Sequence, residues 1–281
     1  MQKILIALTA CIFFIHFQSS GQSRELGIMV GVSGYKGDLN SKMFNAELVR
    51  PAIGIQYRRC YSNHWSFRAG LGLMKIKGDD ALSEDTFQLN RNLMFKSNII
   101  EFHMGYEFNF FSYQTSNPAT IFTPYLFGGI AVYRFNPKAE LGGTWYALQP
   151  LHTEGQGTET HPDRKPYSRT SISIPFGGGF KFSLSRRLGV QLEAVVRRTY
   201  TDYLDDVSTT YADPLEIRKE YGKTAGLLSD RSLKKPVSGN IGRQRGNSTD
   251  RDWYYFAGVQ INYTLSKKYI DSCSPFRIKI H

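Results

Sequence analysis

Between Asn98 and Phe110 the side chains change character at every step. Ile100, Phe102, Met104, Tyr106, Phe108 and Phe110 alternate with Glu101, His103, Gly105, Glu107 and Asn109. A two-residue period puts alternate side chains on opposite faces of an extended strand, and no helix accommodates it. One face is oily and the other carries Glu101, His103 and Glu107. Seven more segments repeat the period. Glu25 to Tyr35 sets Leu26, Ile28, Val30 and Val32 against Gly27, Met29, Gly31 and Ser33; Ile53, Ile55 and Tyr57 oppose Gly54, Gln56 and Arg58. Trp65, Phe67, Ala69, Leu71 and Leu73 oppose Ser66, Arg68, Gly70 and Gly72. A fifth strand, about Thr123 to Phe135, is assigned Tyr125, Phe127, Ala131, Tyr133 and Phe135 on its lipid side. The sixth places Ile172, Ile174, Phe176, Phe180 and Phe182 opposite Ser171, Ser173, Gly177, Gly179 and Lys181. The seventh opposes Leu188, Val190, Leu192, Ala194 and Val196 to Gln191, Glu193 and Arg197. In the eighth, Trp253, Tyr255, Ala257, Val259, Ile261 and Tyr263 face outward, and Gly258, Gln260, Asn262 and Thr264 inward.

The connections run long, short, long, short, long, short, long: 36–50, 61–64, 77–96, 111–120, 136–168, 185–187 and 204–251. Short turns on one side and long loops on the other are the pattern of an outer-membrane barrel, with turns in the periplasm. An open sheet edge in hydrocarbon leaves backbone groups unpaired at several kcal/mol apiece, so the eighth strand must pair with the first. The expected fold is all-β: an eight-stranded antiparallel transmembrane β-barrel with short periplasmic turns, long extracellular loops and both termini in the periplasm. Trp65, Tyr57, Phe110, Tyr125, Phe135, Trp253 and Tyr255 are expected in the two interfacial belts.

The chain opens with Lys3, an apolar run from Ile4 to Phe17 and a polar exit from Gln18 to Ser23, the order of a secretory signal peptide. Leu8-Thr9-Ala10-Cys11 has the look of a lipoprotein box, but the apolar core continues through Ile12-Phe13-Phe14, which favours cleavage near Gly21 to Ser23. The expected organisation is a signal peptide over 1–22, a barrel over 23–266 and a periplasmic tail over 267–281. Composition agrees: 26 glycines, 17 tyrosines and 19 phenylalanines in 281 residues, with a mean hydropathy of -0.35, suit neither a helical membrane protein nor a helical enzyme. The net charge of +11 is scattered rather than gathered with aromatics on one element, so nucleic acid is not an expected partner.

The inward set Arg58, Arg68, Glu101, His103, Glu107, Lys181, Glu193 and Arg197 offers both charge signs at similar depths. An eight-stranded barrel is only wide enough for side chains to fill it, so these form a paired ionic core rather than a pore lining. A lumenal acid/base or metal site at Glu101, His103 and Glu107 is the sharper alternative, weakened by the lack of a second histidine nearby. No nucleophile elbow, zinc helix or phosphate loop appears, so no enzyme activity, cofactor, metal or small-molecule substrate is expected. Gly177-Gly178-Gly179 reads as a place of bending or close backbone approach.

Loops 136–168 and 204–251 exceed what a turn needs, and such length means binding or disorder. Tyr203, Leu204, Asp205, Asp206, Val207 and Tyr211 suggest an ordered cap. Asp213 is expected to cap a turn or a short helix, and trimming Gly239 to Gly246, which lacks aromatic anchors, is expected to impair function less than deleting 203–211. The stretch Tyr203-Leu204-Asp205-Asp206-Val207-Ser208-Thr209-Thr210-Tyr211, within Tyr200 to Pro214, resembles the signature segment of the PorG-like outer-membrane proteins of Bacteroidota. Glu25 to Ile28, Gly34 to Asn40, Arg50 to Arg58 and Ala257 to Tyr263 resemble the same family, so the likeness spans nearly the whole mature chain. The resemblance implies a non-enzymatic outer-membrane anchor or scaffold of the type IX protein secretion system, associated with the periplasmic ring of PorK and PorN and embedded in outer-membrane lipid. The basic stretch Lys234 to Arg245 does not match that signature, which leaves open a small adhesin or ligand-binding barrel acting through its outer loops. Topology also suggests a disulfide. Removal of Cys11 leaves Cys60, at the periplasmic end of the second strand, and Cys273, in a tail long enough to reach across two strand spacings.

Overall fold

The computed structural model describes residues 23–115, 120–235 and 239–265. Its strands are β1 (Arg24–Lys36), β2 (Arg50–Cys60), β3 (Trp65–Asp79), β4 (Met94–Asn109), β5 (Phe122–Arg134), β6 (Lys138–Leu141), β7 (Thr144–Ala147), β8 (Thr170–Ser183), β9 (Leu188–Thr199) and β10 (Trp253–Thr264). β1, β2, β3, β4, β5, β8, β9 and β10 pair in that order, all antiparallel, and β10 returns to β1. The closing register runs without a break from Glu25↔Thr264 to Lys36↔Trp253. The eight-stranded antiparallel barrel is therefore closed, and no edge remains to be covered.

Register fixes which face each residue takes. Leu26, Ile28, Val30, Ile53, Ile55, Ile100 and Val259 are exposed on the outside, whereas Glu101, His103, Glu107 and Arg68 have no exposure at all inside. This polarity is inverted relative to a water-soluble barrel. An apolar girdle that encircles the molecule far exceeds the few hundred Å² of oily patch a soluble monomer tolerates, so the medium around the strands is lipid. No helix among the described residues is long and apolar enough to cross a membrane, and the crossing is made by strands.

β5 corrects the expected facing. Tyr125, Phe127, Ala131, Tyr133 and Phe135 are buried, and Leu126, Ile130 and Val132 are the exposed set. The cause is register: Tyr125 lies opposite Asn109, Phe127 opposite Glu107, Ala131 opposite His103 and Tyr133 opposite Glu101, and directly opposed residues share a face. β5 is apolar on both faces, so its own pattern could not decide. Tyr125 and Phe135 accordingly leave the interfacial belts. Tyr255 stays on the outer face but is covered by Phe44, at a ring distance of 6.4 Å, and lies over Gly34, where a Cβ would stand 2.3 Å from its hydroxyl.

The loop-end ends of the strands also run further than the periodicity indicated. β3 and β4 stay paired up to Asp79↔Met94, which shortens the second long loop to 80–93, and the third contains the β6–β7 hairpin, joined to β4 at Lys96↔Lys138. The triple glycine of β8 is a site of close backbone approach: a Cβ at Gly177 would stand 2.2 Å from the Ala194 carbonyl oxygen. The signal-peptide region and the tail beyond Leu265 lie outside the described residues.

Val259 pairs with Val30 and Leu192 in the middle of its strand, with oily neighbours on both sides. Val259→Arg is expected to destabilise the inserted barrel by about 2–4 kcal/mol, and Gln260→Glu, which faces Arg58 inside, by less. Equilibrium folding into vesicles, followed by tryptophan fluorescence, checks the order; a greater loss for Gln260→Glu would contradict the facing.

Candidate functional site

Two polar assemblies occupy the inside of the molecule. The first is the lumen. Arg58 reaches Glu25 at 2.7 Å and Glu107 at 2.7 Å, and Glu107 also takes Arg68 at 3.1 Å and Lys181 at 2.6 Å. Arg68 pairs with Glu193 and lies with its guanidinium carbon 3.5 Å from the centre of the Phe127 ring. Tyr125 donates to Glu193 at 2.6 Å. A second group sits nearer the loops, where Arg197 binds Glu101 at 3.0 and 3.1 Å, and Glu101 also meets the His103 ring at 3.0 Å and the Tyr254 hydroxyl at 2.6 Å. Among the described residues the buried strand charges are four cations (Arg58, Arg68, Lys181, Arg197) and four anions (Glu25, Glu101, Glu107, Glu193). Pairing each buried charge with an opposite one offsets part of its desolvation cost, and removing one partner would leave the other buried and uncompensated.

Both ends of the lumen are filled. From the turn end, Thr115 in the 110–121 connection donates to Glu25 at 2.6 Å, and its carbonyl accepts from Ser183 at 2.8 Å. Towards the loops, Met29, Ile76, Phe95, Ile99, Tyr133 and Phe256 form one apolar cluster with Leu204 and Val207 of the last loop.

The second assembly is a cap built from all four long loops. Its centre is Glu154, fully buried in the third loop, which accepts from the Ser208 and Thr209 amides at 2.9 and 3.1 Å and from the Thr209 hydroxyl at 2.6 Å. Arg245 binds Glu154 at 3.0 Å and donates to the carbonyls of Asp206 at 2.7 Å and Ser229 at 3.3 Å. Arg91, from helix α1 (Thr86–Arg91), holds Asp80 with two bonds of 2.8 and 2.7 Å and reaches the carbonyls of Asp38 and Arg245. Asp205 accepts from Tyr35 and from the Val207 amide, and Asp252 accepts the Leu204 amide at 2.8 Å. Asp206, in the left-handed region at φ 71°, accepts from Thr153 and from the Tyr167 hydroxyl at 2.7 Å.

Among the described loop residues seven buried carboxylates (Asp80, Glu154, Asp202, Asp205, Asp206, Asp230, Asp252) stand against two buried guanidiniums, Arg91 and Arg245. Burial pushes Asp206 up to about 6 and Asp202 up to about 7, and it raises Asp205 and Asp252 well above the ordinary carboxylate range, with neighbouring aspartates adding to the rise. Folded values above the unfolded one mean that the stability is complete below about pH 3.9 and is lost as pH rises through the folded values. For Asp206 the difference amounts to about 3 kcal/mol. The cap is therefore expected to open more readily at pH 8 than at pH 5. Hydrogen exchange of the 203–211 amides, corrected for the intrinsic rate, checks this, and greater protection at pH 8 would refute it.

Each predicted lumen residue falls inside, but Glu101 and His103 pair while Glu107 belongs to the Arg58 group, so the three do not converge on one point. Leu204, Asp205, Asp206, Val207 and Tyr211 are buried in the cap, and the Tyr203 hydroxyl donates to Glu154 at 3.2 Å. Asp213 accepts the Leu215 amide and caps helix α2 (Pro214–Tyr221), which precedes α3 (Lys223–Ser229). Within 239–246, which lacks aromatic anchors, Arg245 is buried and ties three loops together. Glu154, Arg91, Asp80, Asp252 and Glu25 were missed. Only Glu25 had a signal, since it shares the inward parity of Gly27 and Met29.

Residues 2–218 match the family described as "Domain of unknown function (DUF6089)". No curated protein matches the chain. Among solved structures, Neisserial surface protein A is similar at 10% identity and a TM-score of 0.42, covering 87% of this chain and 99% of that one. The attachment invasion locus protein Ail of Yersinia pestis is similar at 10% and 0.37, covering 87% and 100%. The outer membrane protein OprG of Pseudomonas aeruginosa is similar at 10% and 0.35, covering 86% and 97%.

Proposed function

The chain belongs to the DUF6089 family, and from its filled lumen and interlocked loops we propose that it is a non-enzymatic outer-membrane barrel that serves as an anchor or scaffold. The observation that carries this is the complete burial of Arg68, Glu101, His103 and Glu107 at mid-barrel, since a conducting path or a reaction centre would need those groups to meet water or substrate. In this reading the turns and both termini face the periplasm and the capped loops face outward.

The finer reading makes the protein a component of the type IX secretion machinery in the PorG-like group, with the PorK and PorN ring as its periplasmic partner. Its support is the resemblance of Tyr200 to Pro214 and of the first, second and last barrel strands. The signature segment serves this role indirectly: it lies at the loop end, where it closes the barrel through Leu204 and Val207 and braces β1 through Tyr35. The ring would meet the opposite end. Crosslinked purification from native membranes decides it. Recovery of PorK and PorN supports the scaffold, and their reproducible absence while the ring is intact sinks it. The adhesin reading has its own observation, the exposure of Leu215, Leu233 and Ile241 on the cap.

The disulfide belongs here too. Cys60 ends β2 at the turn end with its backbone amide bonded to Ser23, and Cys273 lies outside the described residues. Closing that bond would hold the tail against the rim that a ring partner must touch. Peptide mapping with alkylator and no reductant is expected to yield a linked Cys60/Cys273 peptide, and separate alkylated peptides would dismiss it.

A further inference from the structure

At the loop end, three neighbouring strands present cations around one tryptophan. Lys36 ends β1 opposite Trp253 of β10, and Trp253 lies opposite Arg198 of β9. Parity puts Lys36 with Ile28 and Val30, Trp253 with Val259 and Ile261, and Arg198 with Leu192, so all three are at outward positions directly above the apolar girdle. Arg251 precedes Trp253 by two residues and continues that face. These four line an open recess of about 590 Å³, with Asn247 and Thr249 offering further polar atoms on its wall.

The charges in the recess are not spent on one another. Among the described residues none of the three cations enters a salt bridge, although thirteen such contacts occur elsewhere. Two carboxylates border the site and both are turned towards Asn247 rather than paired with these cations: Asp38 accepts the Asn247 amide at 3.1 Å with each oxygen, and Asp250 accepts the Asn247 side chain at 3.2 Å. Burial also raises the Asp38 carboxyl above its ordinary range, which weakens the opposition to an anion. The depth matters most. Where the girdle ends, the neighbouring molecules are lipid headgroups, and a tryptophan at that level sits with its ring in the acyl boundary and its N–H among polar groups.

We propose that Lys36, Arg198, Arg251 and Trp253 form a binding site for the phosphate-bearing headgroup of a lipid in the leaflet bordering the loop end. This rests on the reading of the chain as an outer-membrane barrel. The two guanidiniums match phosphate oxygens in fork geometry, Lys36 adds a point charge, and Trp253 packs on the first carbons of the chain. A lipid held there would brace β1, β9 and β10, the strands that carry the first and last loops of the cap.

The test uses the full mature chain folded into phosphatidylcholine vesicles that carry a small fraction of bisphosphorylated lipid A or of the same lipid without its phosphates. Native mass spectrometry after extraction reads the lipid retained. Wild type is expected to keep the phosphorylated form about tenfold or more over the dephosphorylated one, and K36Q/R198Q/R251Q to lose that preference. K75Q/R134Q, at outward positions of β3 and β5, should keep it. Equal loss in both variants would overturn the proposal in favour of diffuse attraction. Displacement of the lipid by inorganic phosphate at equal charge would overturn it in favour of a free-anion site. Heat-modifiable electrophoretic mobility reports insertion separately, so a chain that fails to form a barrel defeats the underlying reading, whereas an inserted barrel without lipid preference defeats this one alone.

Discussion

Arg245→Met is expected to cost the loop cap about 3–5 kcal/mol, the range for removing one partner of a buried ion pair. The substitution keeps much of the aliphatic bulk and deletes the guanidinium that joins Glu154 to the Asp206 and Ser229 carbonyls. Glu154 would keep its bonds to the Ser208 and Thr209 amides, but with no cation against it in a pocket it shares with the Asp206 carboxylate. The expected result is a cap that opens while the barrel stays closed, because β10 and β9 keep a continuous register beneath it. Limited proteolysis should cut within 150–165 and 203–211 in the variant, while heat-modifiable mobility stays that of wild type. Lys223→Met, at an exposed position of α3, should change neither readout. Resistance of Arg245→Met to protease at the wild-type level would show that the apolar contacts of Leu204 and Val207 alone hold the cap.

The barrel was legible because its strands are long and each repeats a two-residue rule imposed by two different media. Lipid selects Ile100 and Phe102, and the lumen selects Glu101 and His103 between them. Where both media take the same kind of side chain the rule loses its grip. β5 shows this, since Phe127 packs under Arg68 in the lumen as readily as Leu126 packs in lipid, and only pairing with β4 decides. The cap was half legible. Its aromatic and aliphatic anchors at 203–211 announce burial by type. Glu154, Arg91 and Arg245 do not, because a lone charge in a polar loop looks the same whether it is solvated or meets a partner 91 residues away, as Arg245 meets Glu154. Loop contacts have no period, and their pairing exists only once the strands have set the four loops around one rim.

Inside the barrel the largest effect is expected at Glu107, which faces Arg58, Arg68 and Lys181 at once. Glu107→Gln leaves four buried cations against three anions. Arg58 retains Glu25 and Arg68 retains Glu193, but Lys181 is left without an anion, keeping the Asn109 amide oxygen at 2.8 Å and the face of the Tyr125 ring at 4.5 Å. The variant should lose about 3–5 kcal/mol of folding stability in vesicles, measured by urea titration. Lys181→Met should cost less, because Glu107 still meets two guanidiniums. The double variant restores three against three, and it is expected to be more stable than Glu107→Gln alone by more than about 1 kcal/mol, a coupling of the size found for residues in direct contact. That ordering separates charge balance from mere packing. Were the losses of the two single variants simply to add, Glu107 and Lys181 would be acting as independent fillers of the lumen, and the four-against-four account of why this barrel is closed to water would fail with them.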